Sequence, residues 1–167
     1  MNKELYLVRH AEADSTNFDI KDVERPLTSD GEIDASKLGK TMAELLGTPD
    51  LILSSTAVRT RTTTALITEQ VGYDPVNIDF LDDLYESSTR ILLRVINELE
   101  EKNNIVVIVA HNPAITYLAE YVSGAVIGNV SPAGLVHLKF SGAWAEISQN
   151  NMDLVKYHKP IRPVQNK

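Results

Sequence analysis

The chain contains no cysteine, so disulfides, thiolate-bound zinc and a thiol nucleophile are excluded together. It also lacks any apolar run near the ~20 residues that a bilayer-spanning helix requires. Its first residues read as a strand, not as the charged, apolar and small-residue succession of a secretion signal. The expected location is cytoplasmic, with no membrane partner. Positive charge is scarce as well: 16 Lys and Arg against 23 Asp and Glu leave a formal net charge of −7. That balance is a poor footprint for nucleic acid, so no nucleic-acid partner is expected and any anion site must be local. Aromatic residues make up only 6%, and Trp144 and the tyrosines are expected in core or rim packing, not in a stacking platform. Repeats, low-complexity tracts and linkers are absent. What is there, 167 residues of which 43% are hydrophobic, suits one soluble globular unit with a sizeable core. Residues 1–160 are read as a single domain and 161–167 as a frayed C-terminal tail.

Hydrophobic periodicity orders the chain. Leu5, Tyr6, Leu7 and Val8 form a short buried strand that stops at Arg9 and His10. A polar, acidic loop follows, and then a helix for which Ser29 and Glu32 supply a capping box. Ile33, Leu38, Met42 and Leu45 recur along that helix at roughly helical spacing, and Gly47 and Pro49 stop it. "DLILSS" is a second buried strand, a helix runs from about Ala57 to Val71 with Gly72 as its stop, and "VNIDF" is a short third strand. Ile91, Leu92, Val95, Ile96 and Leu99 mark an amphipathic helix. "NIVVIVA", the most apolar stretch, belongs in the middle of a parallel sheet covered on both faces. A helix opened by Pro113 and closed by Gly124 follows, and "GLVHLKF", "AWAEI" and "DLVKY" read as three closing β segments. Strands alternating with helices predict a three-layer α/β sandwich around a mostly parallel sheet.

One event happens three times: an apolar strand ends and anion-binding residues appear. Arg9 and His10 end the first strand, Arg59 lies in the first turn or so of the helix after the second, and His111 immediately follows "IVVIVA". Ligand sites of parallel sheets lie at the carboxyl ends of strands, and helix N-termini present free N–H groups to phosphate. If the three strands are adjacent, Arg9, His10, Arg59 and His111 converge on one crevice. Two arginines clamp the equatorial oxygens of a phosphoryl group. A neutral His10 attacks phosphorus, and His111 donates to the phosphoryl oxygens as charge shifts. His10 and His111 have no third ligand at a recognised spacing, so neither a metal nor another cofactor is expected. His137 and His158 are read as ordinary exposed or half-buried side chains. Arg25 is either a further phosphate ligand or a brace for the acidic loop.

"LVRHAEA", "RPLTSDGE", "LILSSTAVRTRT" and "VIVAHNPA", in this order and spacing, resemble the histidine phosphatase superfamily. The short chain and the stretch from "LYESS" to "AHNPA" look like its small bacterial phosphohistidine phosphatase branch, the SixA type. The resemblance runs from about Leu5 to Val122 and weakly through "AWAEI" and "LVKYHKP". It implies a phosphoglycerate-mutase-like fold and a metal-free phosphatase whose nucleophile motif falls on Arg9 and His10, with the second arginine on Arg59 and the second histidine on His111. Thr56, Thr60 and Thr62 depart from the pattern, standing where the family usually has proline, alanine and glutamine. Threonine is β-branched and a poor helix former. Other branches carry a general acid in mid-chain, for which Glu86 is the candidate and Asp82 and Asp83 are rivals. Some members of the small branch lack that acid. The implied substrate is phosphohistidine in a partner protein domain. The alternatives are a small phosphate ester, hydrolysed as by a phosphomonoesterase, or a non-catalytic phosphate-binding module.

Overall fold

The computed structural model describes residues 2–161, so of the expected tail all but Ile161 lies outside the described residues. Six strands form one sheet: β1 (Asn2–Arg9), β2 (Leu51–Ser55), β3 (Asp79–Leu81), β4 (Ile105–Ala110), β5 (Leu135–Ser141) and β6 (Asp153–His158), in the order β3-β2-β4-β1-β5-β6. The neighbours β3, β2, β4 and β1 run parallel, whereas β5 and β6 add antiparallel at one side. β4 and β1 are therefore interior strands, and Leu5, Tyr6, Leu7 and Val8 are all fully buried, as a strand covered on both faces requires.

Successive side chains on these strands enter opposite cores. Leu5, Leu7, Val106 and Ile108 pack under Leu92 and Ile96 of α3 (Thr89–Asn97) and Ile115, Leu118 and Val122 of α4 (Ala114–Ser123). Tyr6, Val8, Val107 and Val109 pack under Leu38 and Met42 of α1 (Ser29–Leu46) and Ile67 and Val71 of α2 (Val58–Val71). The result is the expected three-layer α/β sandwich with a mixed, mostly parallel sheet.

Four local expectations are corrected. The cap of α1 is Thr28, not Ser29: Thr28 has extended torsions, and its Oγ1 accepts the Gly31 N–H at 3.0 Å. Ile33 and Leu45 are 52% and 43% exposed, because the stripe facing the core is Gly31, Ala35, Leu38 and Met42, four and three residues apart. In "VNIDF", Asp74 accepts the Val76 N–H and caps a 3-10 turn at Pro75–Asn77, so the strand begins only at Asp79. "AWAEI" is not a strand. The Ala143 N–H is donated to Glu146 and the Trp144 N–H to Glu101, which leaves neither for a ladder, and Trp144–Glu146 forms a 3-10 turn. In addition, Pro113 stands just before α4 and follows a cis peptide bond.

Candidate active site

The sheet order places β2, β4 and β1 side by side, so their carboxyl ends meet. Arg9, His10, Arg59 and His111 line one open cavity of about 330 Å³ together with Glu12, Ala13, Arg25, Asn112 and Pro132. Two cavities elsewhere are larger, about 480 and 570 Å³, but neither gathers these groups; chemistry rather than size distinguishes this one.

The backbone holds His10 at the strand end. Its N–H donates to Ala110 of β4, and the Ala133 N–H is shared between the Arg9 and His10 carbonyls, each at 3.1 Å. The ring lies 2.7 Å through Nδ1 from the Ala11 carbonyl. A carbonyl only accepts, so Nδ1 carries the hydrogen and Nε2 keeps its lone pair. The ring is pushed down to about 4, first by burial and then by the charges of Arg59, Arg9 and Arg25, against the Ala11 carbonyl, which favours protonation. His10 is thus neutral at physiological pH, as a nitrogen nucleophile must be.

His111 sits beside it, the ring centroids 5.1 Å apart. Its Nε2 is 2.7 Å from the Ser55 hydroxyl, whose oxygen also accepts the Ala57 N–H. Burial, then the neighbouring His10 and Arg59, push His111 down to about 3. With Ser55 donating to Nε2, the hydrogen of a neutral ring resides on Nδ1. That atom is buried without a protein partner, and so is Nε of Arg9, whose Nη1 donates to the Val130 carbonyl. Buried donors with no acceptor are costly. Two of them beside a neutral imidazole describe a cavity shaped for an anion.

Arg59, the second residue of α2, is 7% exposed. Its Nη1 donates to the Asp22 carbonyl at 2.7 Å and its Nη2 to the Asp22 carboxylate at 3.1 Å. The threonines of α2 do not break the helix, because packing of Ile67 and Val71 into the core outweighs propensity; their hydroxyls bond back to carbonyls one turn earlier, Thr60 to Ala57, Thr63 to Arg59 and Thr64 to Thr60. Thr63 also accepts the Ala11 N–H at 3.1 Å, which ties α2 to the segment that carries His10.

Arg25 lines the cavity and braces the loop at once, through Nε to the Asp14 carbonyl and Nη1 to Asp22. Glu86 is exposed and is not among the cavity-lining residues. Asp82 and Asp83 are exposed as well, and Asp83 pairs with Arg94. His137 is bound to Glu4 and stacked on Tyr6, and neither it nor His158 lines this cavity. Among the described residues there is no group of three or more His, Cys, Asp or Glu able to hold a metal, and no helix is long and apolar enough to cross a membrane. Sequence reasoning missed Ser55, Thr63, Asp22 and Tyr85. Only "DVERP", an aspartate one turn before Arg25, carried a visible signal.

A neutral histidine between arginines at the adjacent carboxyl ends of three parallel strands defines a class, the phosphoryl-handling α/β enzymes. The chain belongs to the histidine phosphatase superfamily (branch 1), whose family model matches residues 5–92. Membership supports a phosphatase-type hydrolase activity. Similar proteins include an uncharacterized chloroplastic protein of Arabidopsis thaliana, 29% identical over 154 residues that cover 87% of this chain and 71% of that one. A structure described as a proposed phosphohistidine phosphatase SixA from Nakamurella multipartitia is 26% identical, covers 97% of this chain and 98% of its own, and superposes with a TM-score of 0.82. A proposed SixA from Agrobacterium tumefaciens is 27% identical, covers 95% and 98%, and has a TM-score of 0.79.

Proposed function

We propose that this chain hydrolyses phosphohistidine in proteins through a covalent phosphohistidine on His10. The observation that carries the reading is His10 itself: half-buried, neutral, with Nδ1 committed to the Ala11 carbonyl and Nε2 free, beside the unpartnered Nε of Arg9 and Nδ1 of His111. In the first step the Nε2 lone pair forms a bond to phosphorus and the bond from phosphorus to the substrate nitrogen breaks. Arg9 and Arg59 bind the equatorial oxygens, and His111 donates from Nδ1 as negative charge builds on them. In the second step water attacks the phosphoryl group, the bond to Nε2 breaks with its electron pair returning to His10, and dihydrogen phosphate leaves. The hydrogen stays on Nδ1, donated to the Ala11 carbonyl, throughout.

Two features favour a nitrogen leaving group over an alkoxide. A substrate imidazole takes its proton on the distal ring nitrogen and departs neutral, whereas an alkoxide needs an acid beside it. Asp22, bonded to the arginines beside the cavity, is held ionised by the Tyr85 hydroxyl, Arg25 and Arg59, and Glu86 does not line the cavity. The cavity is open, as a protein-borne phosphoryl group requires, and the similarity to the SixA structures agrees. The test compares kcat/KM for a phosphohistidine-bearing domain with that for alkyl phosphates. Phosphohistidine is expected to be favoured by at least ~10², the usual contribution of a general acid. A preference for alkyl esters would replace this reading with a metabolite phosphatase.

A further inference from the structure

We propose that Asp22 is a positioning residue that sets the plane of the Arg59 guanidinium and, by the same negative charge, keeps the cavity from retaining phosphate. This rests on the phosphatase reading above. Asp22 lies in the acidic loop before α1, three residues before Arg25 but far in sequence from Arg59 and Tyr85. Its carboxylate accepts from Arg59 Nη2 at 3.1 Å, Arg25 Nη1 at 3.0 Å and the Tyr85 hydroxyl at 2.6 Å, while its carbonyl accepts from Arg59 Nη1 at 2.7 Å. Two acceptors of one residue thus grip two nitrogens of one guanidinium, which fixes the plane of that group as a single bond cannot.

The same carboxylate fastens Tyr85, whose ring meets His111 edge-on at 5.6 Å and lies 5.9 Å from the Arg59 guanidinium carbon. Asp22 therefore joins three chain segments: the loop with Arg25 and the first turn of α2, which both line the cavity, and the segment after β3, whose Tyr85 packs against His111 and Arg59. A guanidinium has five N–H donors, and Asp22 uses one on each terminal nitrogen. The rest of the fork stays available to a phosphoryl oxygen.

The charge has a second effect. Arg9, Arg25 and Arg59 bring three positive charges to the cavity, enough to hold a phosphate product tightly. Asp22 offsets part of this from behind the arginines. Fixing the plane of Arg59 serves the transition state, where its contacts to the phosphoryl oxygens count, and the weaker hold on phosphate speeds release of the product.

The test is Asp22→Asn, which keeps the size, the main-chain carbonyl bond to Arg59 and one side-chain acceptor, and removes the charge. Inorganic phosphate is titrated calorimetrically into wild-type and variant protein at fixed ionic strength, and kcat and KM are measured with a phosphohistidine-bearing domain. Phosphate is expected to bind roughly five- to tenfold more tightly to the variant, the size of removing one half-exposed charge near a dianion, while kcat falls about tenfold or more. In an Arg59→Ala background the same substitution should cost much less kcat, because the positioning effect of Asp22 acts through that arginine. Tyr85→Phe, which leaves the charge in place, should lower kcat without changing phosphate affinity. Weaker or unchanged phosphate binding in Asp22→Asn, or an undiminished kcat loss when Arg59 is absent, overturns the inference. If wild-type protein turns over no phosphate compound, the phosphatase reading fails; the phosphate titration then still decides whether Asp22 weakens anion binding.

Discussion

Lowering the pH from 7 to 5 should leave the nucleophile intact. An imidazole is charged when protonated, so burial and nearby cations both disfavour its protonated form and lower its pKa. His10 has burial first and Arg59, Arg9 and Arg25 after it, and it is pushed down to about 4. A histidine at the ordinary ~6.5 is ~75% neutral at pH 7 and ~3% neutral at pH 5, a loss of roughly 25-fold. At about 4, His10 is still ~90% neutral at pH 5 and loses roughly a tenth. The direct assay is an NMR titration of ring-labelled histidine, with the His10 resonance assigned through His10→Asn. The kinetic assay is the rate of phosphoenzyme formation by rapid quench, corrected for the ionisation of the substrate in free solution. Arg59→Ala removes one like charge and should move the midpoint upward. A ring that titrates near 6.5 in the free protein, or a burst that falls more than tenfold between pH 7 and 5, would refute the account of how the cavity keeps His10 neutral.

His10→Ala should abolish turnover with the fold intact by circular dichroism, and His111→Ala should slow it by ~10² or more through loss of a transition-state donor; a fully active His10→Ala protein would remove the mechanism. Glu86→Gln should change kcat/KM for neither phosphohistidine nor alkyl phosphates, because Glu86 is exposed and does not line the cavity; a selective loss on alkyl phosphates would reinstate it as an acid. Gly31→Ala drives a methyl group into the Glu12 carbonyl oxygen, so it should cost about 3 kcal/mol in urea unfolding and displace the loop beside His10. His10 and His111 both have folded-state pKa values below the unfolded value. The unfolded chain therefore binds more protons in acid, and stability present above pH ~6.5 should decline as the pH falls through 4; a urea midpoint that rises over that interval would contradict the sign. Exhaustive chelation should leave activity unchanged, and specific rescue by one divalent ion after a loss would contradict metal independence.

The sequence by itself determined the layers and the main chemical groups. The continuous apolar runs "LYLV" and "IVVIVA" place β1 and β4 in the sheet interior, because strands covered on both faces read as unbroken hydrophobic stretches. The residues where such runs stop, Arg9, His10 and His111, mark the ligand edge without any knowledge of pairing. Local signals failed where other groups outweighed them: Glu146 and Glu101 take the N–H groups that "AWAEI" needed for a ladder, and core packing of Ile67 and Val71 holds a helix that the threonines' propensity disfavours. The strand order, which turns three separate strand ends into one crevice, was settled by tertiary pairing alone. So was the network around it. Ser55 meets His111 and Asp22 meets Arg59 and Tyr85 across 56, 37 and 63 residues of chain. Such contacts follow from how the packed layers bring loops together, and no periodicity encodes them, because hydrogen bonds between distant side chains depend on where the fold leaves each group and not on what precedes it in the chain.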